Sequence, residues 1–144
     1  MNTISSKSYK EKQGEIMKII NELRRHISKK LTLGENLLLY RKICEKYYDL
    51  VEELMVFETI IIPDDVTNYF SVSVSLQVEN TPSPYQVRLN LNYAADSKLS
   101  DFNEVLWSDE VDDFFGTILH LPSCRYIQEH HLMPISIDIL TVAI

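Results

Sequence analysis

Phe70-Ser71-Val72-Ser73-Val74-Ser75-Leu76-Gln77-Val78, the turn-forming Asn80-Thr81-Pro82-Ser83-Pro84, and then Tyr85-Gln86-Val87-Arg88-Leu89-Asn90-Leu91-Asn92-Tyr93 decide the fold. Both arms alternate apolar and polar residues with period two. Successive side chains of a strand point to opposite faces, so each arm predicts a strand with one buried and one wet face. Joined by residues that favour turns, the arms predict a β-hairpin. Its register puts Val74 and Leu89 in the core and Ser73 and Arg88 towards water.

Upstream, Thr59-Ile60-Ile61-Ile62 is β-branched and reads as a short strand ending at Pro63. The period before it is helical. Ile16, Ile19, Ile20, Leu23 and Ile27 form one stripe of a helix expected over residues 8–30. Leu37, Tyr40, Cys44, Tyr47, Val51 and Leu54 form the stripe of a second, expected over residues 35–57. Leu31-Thr32-Leu33-Gly34 is the expected break, with Gly34 as its left-handed residue.

Downstream, residues 94–108 read as a polar connection with room for a helical turn. Ser108 resembles an N-cap for a short helix carrying Val111, Phe114, Phe115, Ile118 and Leu119, which Pro122 keeps from running far. The terminal run from Pro134 to Ile144 predicts a strand, and its apolar second half suggests a central place covered on both faces. The expected class is α+β: an N-terminal helical hairpin packed on a small antiparallel or mixed sheet, in the order α-α-β-β-β-α-β. Residues 1–144 are expected to form one domain, a common size for a self-sufficient core.

The N-terminal residues are polar and charged, without the apolar run of a secretory signal, and no window is apolar enough for a membrane span. Cys44 and Cys124 stand 80 residues apart and form no disulfide framework. A cytoplasmic protein with no membrane contact is the resulting expectation. Charge is divided unevenly. The net charge of −7 is the sum of +6 over residues 1–48 and −13 over residues 49–144.

His120, Cys124, His130 and His131 carry ligand chemistry, but their spacing lacks the compact chelating pair of a zinc site, and Pro122 interrupts His120-x-x-x-Cys124. Cys124 with His120 or His130 is a conceivable nucleophile pair, although no orienting third residue stands at a recognisable spacing. Asp64-Asp65 follows a strand, where metal-binding acids often lie. The plain readings are surface histidines, a core cysteine and solvated acids, so neither metal nor cofactor is expected. No phosphate loop, nucleophile elbow or metalloprotease motif is present.

Arg24, Arg25, Lys29, Lys30, Arg41 and Lys42 suggest phosphate contacts, but an acidic chain with pI near 5.0 repels nucleic acid. The acidic half instead suits a basic protein partner. Asp109, Glu110, Asp112 and Asp113 place four carboxylates in five residues and are the expected partner-binding residues. The leading expectation is a non-catalytic binding domain, an acidic inhibitor or immunity-type protein that occludes a basic, nucleic-acid-acting protein. The alternatives are a dimeric assembly or secretion chaperone, since a homo-oligomer is left open, and a small enzyme using Asp64, Asp65 or the His120/Cys124/His130 region.

Overall fold

A computed structural model describes residues 9–47, 55–64, 69–78 and 85–143. Helices α1 (Tyr9–His26) and α2 (Leu33–Lys46) come first, followed by strands β1 (Met55–Asp64), β2 (Tyr69–Val78) and β3 (Tyr85–Ala94). A single 3₁₀ turn (Leu99–Asp101) leads to β4 (Glu104–Ser108), helices α3 (Val111–Ile118) and α4 (Pro122–Glu129), and β5 (Ser136–Ala143). The class is α+β, as the two periodicities require.

The described strands form one five-stranded sheet in the order β4-β1-β2-β3-β5, and every pairing is antiparallel. The hairpin register sets Val74 opposite Leu89 and Ser73 opposite Asn90. Phe70, Val72, Val74 and Leu76 on β2 and Val87, Leu89, Leu91 and Tyr93 on β3 are all buried on one face. Helices cover that face. The other face carries Ser71, Ser73, Gln77, Gln86, Arg88 and Asn90, which are only partly shielded.

The helical layer closes the core through the expected stripe of α1, Ile16, Ile19, Ile20 and Leu23, with Ile27 just past the helix, which ends at His26 rather than at residue 30; all five are buried. Burying one such side chain stabilises the fold by roughly 1.5–3 kcal/mol. α1 packs on α2 and on β5, while α2 also meets α3 and α4. Tyr40 of α2 reaches the sheet, where its hydroxyl donates to the Val87 carbonyl at 3.2 Å.

Several local expectations are corrected. Gly34 is not left-handed but lies in the first turn of α2, behind Thr32 as N-cap. Thr32 Oγ1 accepts from Glu35 N and Glu35 Oε1 accepts from Thr32 N, a reciprocal capping box that starts the helix without any glycine. α2 ends at Lys46 rather than at residue 57, because Met55 to Phe57 pair with Leu76 to Val78 as part of β1. Val51 and Leu54 lie outside the described residues. Ser108 closes β4, and Glu110 is the N-cap residue of α3.

Pro122 does not merely stop a helix. It occupies the first turn of α4, where its missing N–H costs nothing. β5 is an edge strand and not a central one. It pairs with β3 alone, and Leu140 is 44% exposed. The apolar run of β5 is explained by Ile137 and Ile139, which pack against the core from one side.

Candidate functional site

The stretch read as a polar connection holds the most exposed apolar surface among the described residues. β4 pairs with β1 from Phe57↔Ser108 to Ile61↔Glu104, at the edge of the sheet. Its alternation turns Glu104, Leu106 and Ser108 towards the helices and leaves Val105 62% and Trp107 66% exposed.

β4 is held from its inner side. The carboxylate of Glu104 accepts from the backbone N–H of Ser123 at 3.3 Å and from the Ser123 hydroxyl. Ser123 is fully buried in the first turn of α4, where an acid also meets the positive end of the helix dipole. The strand is thereby docked while Val105 and Trp107 on its outer face stay exposed.

The four predicted carboxylates follow directly. Asp109, Glu110, Asp112 and Asp113 are all exposed and span the turn from β4 into α3. They are not equivalent. Asp112 Oδ1 accepts from Arg41 Nη2 at 2.5 Å, which ties α3 to α2 and neutralises that charge. A hydrogen bond with Asp113 and repulsion from Asp113, Asp109 and Asp112 hold the Glu110 carboxyl above its ordinary value. Glu110, Asp113 and Asp109 therefore form the part of the cluster that seeks a cation.

The other sequence candidates do not converge. His120 is exposed after α3, and Cys124 is completely buried in α4. His130, at the C-terminal end of α4, stacks on Tyr126 with ring centres 3.9 Å apart, and its Nδ1 lies 2.9 Å from the Tyr126 carbonyl. His131 takes a left-handed φ of 52° in the turn after α4. Among the described residues, no three His, Cys, Asp or Glu side chains gather to hold a metal. Burial pushes the Cys124 thiol up to about 12, and Cys44 is raised further for the same reason. A thiol so held stays protonated, and the thiolate is the nucleophile. The side chain of Asp64 and all of Asp65 lie outside the described residues.

A cleft of about 220 Å³ is lined by Thr32, Leu33, Gly34, Ile127, Gln128, His131 and Leu132. It is smaller than the roughly 300–1,000 Å³ typical of a small-molecule site and holds one ionisable side chain. No helix among the described residues is long and apolar enough to cross a membrane. No family model, curated protein or solved structure matches the chain.

Val105 and Trp107 are the residues that sequence reasoning missed. Their signal was present: Val and Trp within Glu104-Val105-Leu106-Trp107-Ser108 suit a pleated, half-buried surface. The polar residues on either side masked it.

Proposed function

We propose that this chain is a non-catalytic protein-binding domain, an acidic inhibitor or immunity-type protein that occludes a basic partner through β4 and the first turn of α3. One observation carries the reading: Val105 and Trp107 stand exposed immediately before four exposed carboxylates. Binding surfaces concentrate their energy in a few large side chains, tryptophan foremost, surrounded by a polar rim. Here an apolar centre and an acidic rim lie on one continuous stretch of chain. The acidic excess of residues 49–144 would steer a basic protein towards it.

A second reading, a dimeric assembly or secretion chaperone, draws on a different place. Met133, Ile135 and Leu140 are 39%, 45% and 44% exposed in and just before β5, apolar side chains that a client or a second copy could cover. It lacks the charge pattern that makes the first surface selective.

Affinity purification from the native cell, followed by identification of what co-purifies, supplies the partner. Trp107→Ala in the purified complex then tests the surface. Because Trp107 is two-thirds exposed, the variant should fold normally, and a central anchor should cost at least 2 kcal/mol of binding, about thirtyfold in Kd. An affinity unchanged by Trp107→Ala would remove the β4 surface from the interaction. A partner that is not basic would remove the electrostatic reading.

A further inference from the structure

The protein-binding reading leaves open how the partner is held, and the backbone of β4 bears on that. A sheet edge presents a row of unpaired N–H and C=O groups, and proteins blunt such rows with lysine, proline, bulges or covering chain. The two edges here differ. At β5, Arg24 Nη2 donates to the Ile139 carbonyl at 3.4 Å, while a helix packs against each edge strand, α1 on β5 and α3 on β4. At β4 no lysine or proline interrupts Glu104-Val105-Leu106-Trp107-Ser108, and no described backbone hydrogen bond is made on the side away from β1.

Charge selects the occupant. A second copy pairing antiparallel about Leu106 would bring Asp109 and Glu110 of each chain towards Asn103 and Phe102 of the other, beside Asp101 and Glu104. Like charges would crowd both ends of such a pair. A cationic segment meets the opposite situation. We propose that the edge of β4, unpaired among the described residues, accepts an extended segment of a basic protein as an added antiparallel strand. This rests on the protein-binding reading.

For an antiparallel strand, which end carries the cations is fixed by the position of the carboxylates. They lie at the C-terminal end of β4, so an antiparallel strand brings its N-terminal end to Asp109, Glu110 and Asp113. The fitting segment has its cations first, followed by alternating β-branched residues that continue the pleat beside Val105 and Trp107. Main-chain pairing supplies the affinity of such additions, and side chains supply the choice of partner. A Lys or Arg crossing the open face of Trp107 gains a cation–π contact as well.

The test uses three short synthetic peptides with the full chain: Lys-Arg-Lys followed by alternating Thr and Val, the same residues in reverse order, and a Lys/Gly peptide of equal charge. Binding is followed by amide chemical shifts and hydrogen exchange at low salt. The first peptide should protect β4 amides from exchange by at least about tenfold and bind at least about fivefold tighter than its reverse. Val105→Lys/Trp107→Lys, two changes on an exposed face, should weaken it by about tenfold or more while leaving the circular dichroism unchanged. Equal binding of all three peptides without protection of β4 overturns the added strand and leaves the acidic surface standing. If no peptide binds, the added strand also falls, while the protein-binding reading is still judged on the Trp107→Ala complex.

Discussion

Two buried tyrosines show how a single hydroxyl can change the sign of its contribution. Tyr40 and Tyr93 are both fully buried, and burial pushes both phenols up, so each is neutral. The Tyr40 hydroxyl donates to the Val87 carbonyl, whereas the Tyr93 hydroxyl has no hydrogen-bond partner among the described residues. A made hydrogen bond contributes about 1 kcal/mol net, while a buried polar atom left unmatched costs about 1–3 kcal/mol. Tyr40→Phe should therefore destabilise by about 1 kcal/mol, and Tyr93→Phe should be neutral or stabilising. Urea denaturation of both variants measures this directly, and equal losses would contradict the difference in partnering. None of this was legible in the sequence, because a tyrosine on an apolar stripe reads the same with or without an acceptor above it. The Thr32–Glu35 capping box, by contrast, was written there as T-x-x-E, although the nearby glycine drew attention first.

At the scale of elements, sequence reading succeeded where one periodicity ran long and unopposed. The β2–β3 hairpin and the stripe of α1 were legible because each repeats its pattern over several turns or pleats. It failed where patterns compete or are short. Met55 to Phe57 fit the helical stripe of α2, yet ten consecutive pairings with β2 draw them into β1. β4 has five residues, too few for a period to stand out among its polar neighbours, and α4 was hidden behind Pro122, which reads equally as a stop or as a first turn. The terminal strand looked central because apolar composition reports burial but not neighbours, and its edge position is fixed by topology. The hairpin register carries its own test. Val74→Asp places a carboxylate in a fully buried site and should destabilise by several kcal/mol, enough to unfold the chain, while Ser73→Asp on the open face should change stability by about 0.5 kcal/mol. Comparable melting temperatures for the two variants would refute the register.

Across the whole molecule, the +6 of residues 1–48 and the −13 of residues 49–144 act together, and Arg41 with Asp112 joins the two halves. The candidate cluster was legible in part: its density of charge was plain, but the diversion of Asp112 to Arg41 and the exposed Trp107 beside it depend on how α2 and β4 meet in space. The charges make a kinetic prediction. Attraction between exposed charges is screened beyond about 10 Å at 0.1 M salt, so association with a basic partner should slow as salt rises. Reversing Asp109, Glu110, Asp112 and Asp113 together to Lys should lower the on-rate and flatten its salt dependence. Losing the Arg41–Asp112 pair should cost about 1 kcal/mol, since Asp112 is largely exposed and Arg41 partly so. pH supplies a second axis with a definite sign. The hydrogen bond with Asp113 and the charge of its acidic neighbours hold the Glu110 carboxyl above its ordinary value, so in the free protein it takes up a proton at a higher pH than an ordinary glutamate. Protonation relieves repulsion within the cluster and favours the free form, whereas a bound cation favours the ionised form. Binding therefore releases a proton near that raised pKa, and affinity should fall as pH drops through it. Stopped-flow association at low and high salt, together with titration calorimetry at neutral and mildly acid pH, measures both effects. A folded quadruple variant with an unchanged on-rate, salt slope and pH dependence would place the interface elsewhere on the molecule.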